Sequence, residues 1–258
     1  MALSLEKISS EAPSLLSLAK TAYQAVDTSG LNGQKAKVAV VLDFSGSMAA
    51  VYRSGAMQRL VEKVLALATQ FDDDGAIDFF VFDTRASYLG EISIGDFPGS
   101  VDRLTRGRSM GTTNYAHAFL TVREHFGFVP QPPPMPKRGL FGLLKGPAAA
   151  GNPPAATPSE IPVFVLFLTD GAPDSKESAM QALTEVSSAP IFWKFLSIGS
   201  KSIAFLEKLD DMKQRFVDNA NYEPIGDVDA ISDSLLFKKM LQEFPEWLGE
   251  ARAKRLLK

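Results

Sequence analysis

"AKVAVVLDFSGSM", residues 36–48, decides how this chain is read. Its first half is a short, almost wholly apolar run rich in valine, the signature of a strand covered on both faces. The run ends in Asp43, and Ser45 and Ser47 follow at alternate positions with Gly46 between them. A buried strand that ends in a carboxylate and two hydroxyls suits three chemistries: a nucleophile, a phosphate cradle or a metal site. Residues elsewhere in the chain must choose among them.

Similar runs recur outward from this stretch. "AIDFFVFD" (76–83), "VFVLFLTD" (163–170) and "PIFWKFLSIG" (190–199) read as buried strands, and "RFVDNANYEPI" (215–225) as a last strand and loop. "RASYLGEIS" (85–93) alternates as a half-exposed edge strand does. Helical periodicity marks 11–27, 53–71, 114–126, 175–187, 202–210 and 228–257, the last interrupted at Pro245, and a short helix is expected at 98–107. Strands alternating with helices predict an α/β fold. The expected architecture is a doubly wound, mostly parallel sheet flanked by helices, with one antiparallel edge strand.

Residues 1–35 are expected to supply an N-terminal docking helix and loop, and 36–258 a single domain closed by its C-terminal helix. The segment 129–162 is rich in Pro, Gly and Ala and interrupts the alternation, so it reads as an insertion within that domain. Its island "GLFGLLKG", with Lys137, Arg138 and Lys145 around it, reads as a sticky spot in an unpatterned loop ahead of the alternative, a partner-docking or membrane-touching motif.

Composition removes several classes of function. The 258 residues include no cysteine, which excludes disulfides, thiolate catalysis and cysteine-ligated metals and fits a reducing compartment. A net charge of -3, with no basic run before the tail "ARAKRLLK", gives no surface for nucleic acid. The N-terminus lacks a secretory pattern, and the longest apolar runs fall far short of the roughly 20 residues that span a bilayer. The expected location is cytoplasmic, without an integral membrane segment.

In an open parallel sheet, ligands sit beyond the carboxyl ends of the strands where the winding reverses. Asp43 and Asp170 both end buried strands and are followed by glycine-containing turns. If the first strand is central, these two carboxylates face each other, and they repel unless a cation lies between them. Ser45 and Ser47 add neutral oxygens, and Gly46 is expected to let the turn tighten so that both hydroxyls converge. Oxygen-only ligands suit a hard cation, magnesium before manganese or calcium. A further hydroxyl is expected from "SMGTTNYA" (109–116), with Asn114 capping the helix that follows. Asp83, also at a strand end, reads as a turn residue.

The rival chemistries fit less well. A serine nucleophile needs a histidine base, yet His117 and His125 fall on the outward side of helix 114–126. No Gly-x-x-x-x-Gly-Lys-Ser/Thr occurs to cradle a phosphate. A magnesium-dependent phosphatase or other hydrolase using Asp43 is the stronger rival, but the second aspartate usual two positions on is here Ser45.

With Asp-x-Ser-x-Ser, a threonine loop and a strand-end aspartate in that order, the chain resembles the von Willebrand factor A (vWA) domain family, from about residue 36 to about 245. That resemblance implies a metal-ion-dependent adhesion site. Ser45 and Ser47 would be direct ligands and Thr113 direct or water-mediated, while Asp43 and Asp170 would act largely through water or hydrogen bonds. Thr113 is chosen over Thr112 because "GTTNYA" is similar to the family's Gly-x-Thr-Asn form. "GTTNYAHAF", "SLLSLAKTAY" and "FPEWLGEARAK" further resemble the bacterial tellurium-resistance (TerF-like) subgroup, which also resembles the copine A-domain. The resemblance implies a non-enzymatic, cation-dependent protein-binding module in a stress or toxic-oxyanion resistance system, whose partner supplies an acidic residue to the metal.

Overall fold

The computed structural model describes residues 2–72, 74–128, 158–199 and 202–258. The island at 139–146 and most of the expected insertion lie outside the described residues.

Six strands form one sheet in the order β3-β2-β1-β4-β5-β6. They are β1 (Lys37–Asp43), β2 (Ala76–Phe82), β3 (Ala86–Ser93), β4 (Val163–Thr169), β5 (Ile191–Ile198) and β6 (Ala220–Gly226). All neighbours are parallel except β2 and β3. The doubly wound sheet with one antiparallel edge strand is therefore as expected. The apolar run of β1 lies at the centre, buried from Val38 onward, because it must present an apolar side chain to both faces.

Alternation divides β1 between two cores. Val38, Val40 and Leu42 join the larger cluster, under helices α1 (Leu5–Glu11), α2 (Leu16–Thr28), α4 (Ala56–Ala68), α9 (Asp233–Leu241) and α10 (Phe244–Ala253). Ala39 and Val41 face the second cluster, under α6 (Tyr115–His125), α7 (Lys176–Val186) and α8 (Ala204–Asp210). Asp43 continues the phase of Ala39 and Val41, so its carboxylate turns toward α6. The short helices α3 (Ala49–Arg53) and α5 (Ser100–Thr105) complete the described helices.

Several boundaries differ from expectation. A helix precedes the expected 11–27 segment, because Ser4 caps it and accepts from the Lys7 N–H at 3.2 Å. The expected 53–71 helix is broken at Gly55, whose φ of 76° is left-handed. The interruption expected at Pro245 falls at Glu243, also left-handed at φ 66°; Pro245 lies in the first turn of α10, where its missing N–H costs nothing. The ends of the insertion sit at the amino edge of the sheet. There Pro162 accepts from the Lys37 N–H at 2.9 Å, and His125, near the end of α6, meets Asp78 of β2 at 3.0 Å. The described residues that flank the undescribed stretch thus lie on the edge opposite Asp43. No helix among the described residues is long and apolar enough to cross a membrane.

Candidate metal centre

Strand register builds the site. Leu42 pairs with Leu168, so the next residues along, Asp43 and Thr169, stand side by side at the carboxyl edge where the winding reverses. The Thr169 hydroxyl donates to Asp43 Oδ2 at 2.6 Å, and the Ser45 N–H donates to Asp43 Oδ1 at 2.8 Å. Tyr52 donates to the Asp43 carbonyl at 3.0 Å. Asp43 is thus fully buried with both carboxylate oxygens engaged.

Beyond it, Ser45 Oγ lies 3.1 Å from Ser47 Oγ, and the Ser47 hydroxyl donates to Asp170 Oδ1 at 2.9 Å. The two serines and Asp170 form a continuous row of oxygens, buried at Ser45 and open to solvent at Ser47. The tightness does not come from Gly46, contrary to expectation. Its φ is not left-handed and a Cβ there would meet nothing within 4 Å. The Asp43 carboxylate, by holding the Ser45 N–H, shapes the turn instead.

Gly111 is the glycine that the packing requires. It bridges Ser45, and the Gly46 N–H donates to its carbonyl at 3.2 Å. A Cβ on Gly111 would lie 2.7 Å from Thr84 Oγ1 and 3.2 Å from Asp83 Cβ. This contact draws the 111–114 loop against the serine turn. Within that loop, Thr112 Oγ1 is occupied at 3.2 Å by Thr84 Oγ1. Thr113 is held by its backbone: its N–H donates to Asp174 Oδ2 at 3.1 Å, and its carbonyl accepts the Asp174 N–H at 2.9 Å. Asn114 caps α6 by accepting from the His117 N–H, and Tyr115 donates to the Gly171 carbonyl beside Asp170.

Asp43, Ser45, Ser47 and Asp170 are joined directly, and Thr113 is brought to the same edge through Gly111 and Asp174. Asp174 had escaped sequence reasoning, because its role depends on a contact across 61 residues. Asp83 accepts from the Arg85 N–H at 2.9 Å and is a turn residue. His117 accepts from the Ala86 N–H, and His125 is engaged by Asp78, so neither activates a serine. His125 is a surface residue as expected, and its ring also packs on Tyr88 and Phe80.

Burial pushes the Asp43 carboxyl up to about 6; hydrogen bonds from Thr169 and Ser45 oppose the rise and the charge of Asp170 adds to it. Among the described residues, no Lys, Arg or His forms an ion pair with Asp43 or Asp170. Two neighbouring carboxylates without a basic partner, extended by hydroxyl oxygens, fit a hard divalent cation. No three acidic or histidine side chains among the described residues are placed to hold a metal ion together. The donor set is therefore hydroxyl-rich.

The fold is that of a vWA domain, and sequence comparison agrees. The family model vWA-TerF-like, described as the vWA domain found in the TerF C terminus, matches residues 35–135 and 152–257. The chain belongs to that family, which supports its reading as a protein-interaction module. It is 36% identical over 223 residues to the uncharacterized protein YcbR of Bacillus subtilis, covering 86% of this chain and 82% of that one. In fold it is similar to proximal thread matrix protein 1 of the mussel byssus (TM-score 0.51, 15% identity, 81% of this chain and 47% of that one). The ArnB paralog VWA2 of Sulfolobus acidocaldarius also aligns (TM-score 0.43, 18% identity, 76% and 42%). The chain spans less than half the length of either solved structure.

Proposed function

We propose that Asp43, Ser45, Ser47, Thr113 and Asp170 hold a divalent cation through which the domain binds a protein partner. The observation that carries this reading is the row of oxygens from Ser45 through Ser47 to Asp170, beside a buried Asp43 that forms no ion pair with a basic side chain among the described residues. Ser45 and Ser47 are the direct ligands, and Thr113 supplies a third hydroxyl. Asp43 orients the serine turn, and Asp170 holds Ser47 in place. Magnesium suits this hard oxygen set, with manganese or calcium as substitutes.

A cation held mostly by neutral hydroxyls stays electrophilic enough to take a carboxylate from a partner's Asp or Glu. The solvent-open Ser47 marks the side from which that carboxylate approaches. The TerF-like membership supports a place in a bacterial, cytoplasmic stress or tellurite-resistance system. Hydrolysis through Asp43 is disfavoured, because both its oxygens are engaged and it is fully buried.

The test is affinity capture with the full chain as bait, in magnesium and in chelator. A partner retained only in magnesium and lost with Ser47→Ala supports the reading. Robust phosphatase turnover abolished by Asp43→Ala would overturn it.

A further inference from the structure

A cavity of about 670 Å³ opens beside the oxygen row and shares Asp170 with it. Val51, Ile198 and Val228 give it an apolar lining, and Asp227 and Asp229 add two more carboxylates. Among the described residues, no lysine or arginine lines it. Asp229 is neutralised from outside by Arg59, which reaches its two carboxylate oxygens at 2.5 and 2.6 Å. Asp227 accepts the Asp229 N–H at 2.8 Å and has no ion pair among the described residues. The cavity therefore joins an apolar surface to one carboxylate, Asp227, that forms no ion pair among the described residues.

This size lies within the range of ligand pockets and suits a few side chains of an extended segment. Charge selects the occupant. A phosphate or an acidic segment would face Asp170, Asp227 and Asp229, whereas a basic side chain would neutralise Asp227. The metal centre proposed above, on which this inference rests, demands the opposite charge a short distance away.

We infer that the cavity seats the part of the protein partner adjoining its metal-binding acid, and that this part carries an apolar residue and then a lysine or arginine. The apolar side chain packs on Val51, Ile198 and Val228, and the basic one faces Asp227. Acid at one end and base at the other fix the direction in which the segment lies.

The test uses the full chain and two synthetic peptides, Gly-Glu-Leu-Lys-Gly and Gly-Glu-Leu-Glu-Gly, titrated by amide NMR in magnesium and in chelator. The lysine peptide should bind roughly twofold to fivefold more tightly, a single screened ion pair's worth. It should shift the amides of Val51, Ile198 and Val228. Asp227→Asn should erase the preference, and Asp227→Lys should invert it. Equal affinities, or a preference unchanged in Asp227→Asn, overturn the inference. Magnesium binding is read separately by calorimetry without peptide. If it is absent while the lysine preference and its loss in Asp227→Asn persist in chelator, the metal reading fails and the cavity assignment stands.

Discussion

Lys194 lies in the middle of β5 and is fully buried, facing the α9–α10 junction. Its ammonium donates to Asn221 Oδ1 and lies 3.4 Å from the Gln242 carbonyl. Burial lowers its value to about 7, against partial compensation from Glu223, Glu243 and Asp210. Set against the ordinary 10.5, that depression costs the folded state about 5 kcal/mol wherever both folded and unfolded amines are protonated. Below about pH 7 the cost is paid in full. Between about pH 7 and pH 10.5 the unfolded chain holds a proton that the folded chain lacks, so wild-type stability rises with pH.

Lys194→Met keeps the length and removes the charge. It leaves Asn221 Oδ1 unpaired at a cost of about 1–3 kcal/mol, so the variant should gain about 2–4 kcal/mol near neutral pH. That gain should shrink toward pH 10, where the folded wild-type amine is neutral and most of its burial cost has been relieved, although the unfolded amine is still largely protonated. Urea unfolding followed by the fluorescence of the buried Trp193 and Trp247 measures it. A variant less stable than wild type at neutral pH, or a gain independent of pH, would refute the reasoning.

Three further predictions concern the site. Gly111→Ala should destabilise the protein by about 1–3 kcal/mol, because its Cβ meets Thr84 and Asp83, whereas Gly46→Ala should be near neutral; thermal unfolding of the two separates them. Asp174→Ala should weaken magnesium binding roughly tenfold by loosening Thr113, while the metal-free melting temperature changes little, since the one lost contact is exposed and worth about 1 kcal/mol. Thr169→Val should lower metal-free stability by about 1–3 kcal/mol in urea unfolding, because it strips a buried acceptor, Asp43 Oδ2, of its donor.

What the sequence showed and what it hid have a common cause. The β1 run, its terminal Asp43 and the alternate serines were legible because strand burial and turn chemistry are local, and the alternation of strands and helices then placed Asp170 beside Asp43. Contacts between distant segments were not legible. Asp174 grips Thr113 from another loop, Gly111 is demanded by Thr84 and Asp83, and His125 is drawn in by Asp78 and Tyr88. Gly46 misled, because glycine between two serines suggests a strained turn while the backbone there is ordinary. Lys194 gave no warning inside an apolar strand, since its cost depends on the helices that cover it.

The central claim is that the oxygen row holds a metal, and calorimetric titration of the purified full chain with magnesium tests it most directly, alongside the same titration of Asp170→Ala. The account predicts saturable binding by the wild type, accompanied by a rise in melting temperature, and loss of both in a variant that remains folded. Absence of binding by magnesium, manganese and calcium in the wild type, or equal binding in Asp170→Ala, would contradict it.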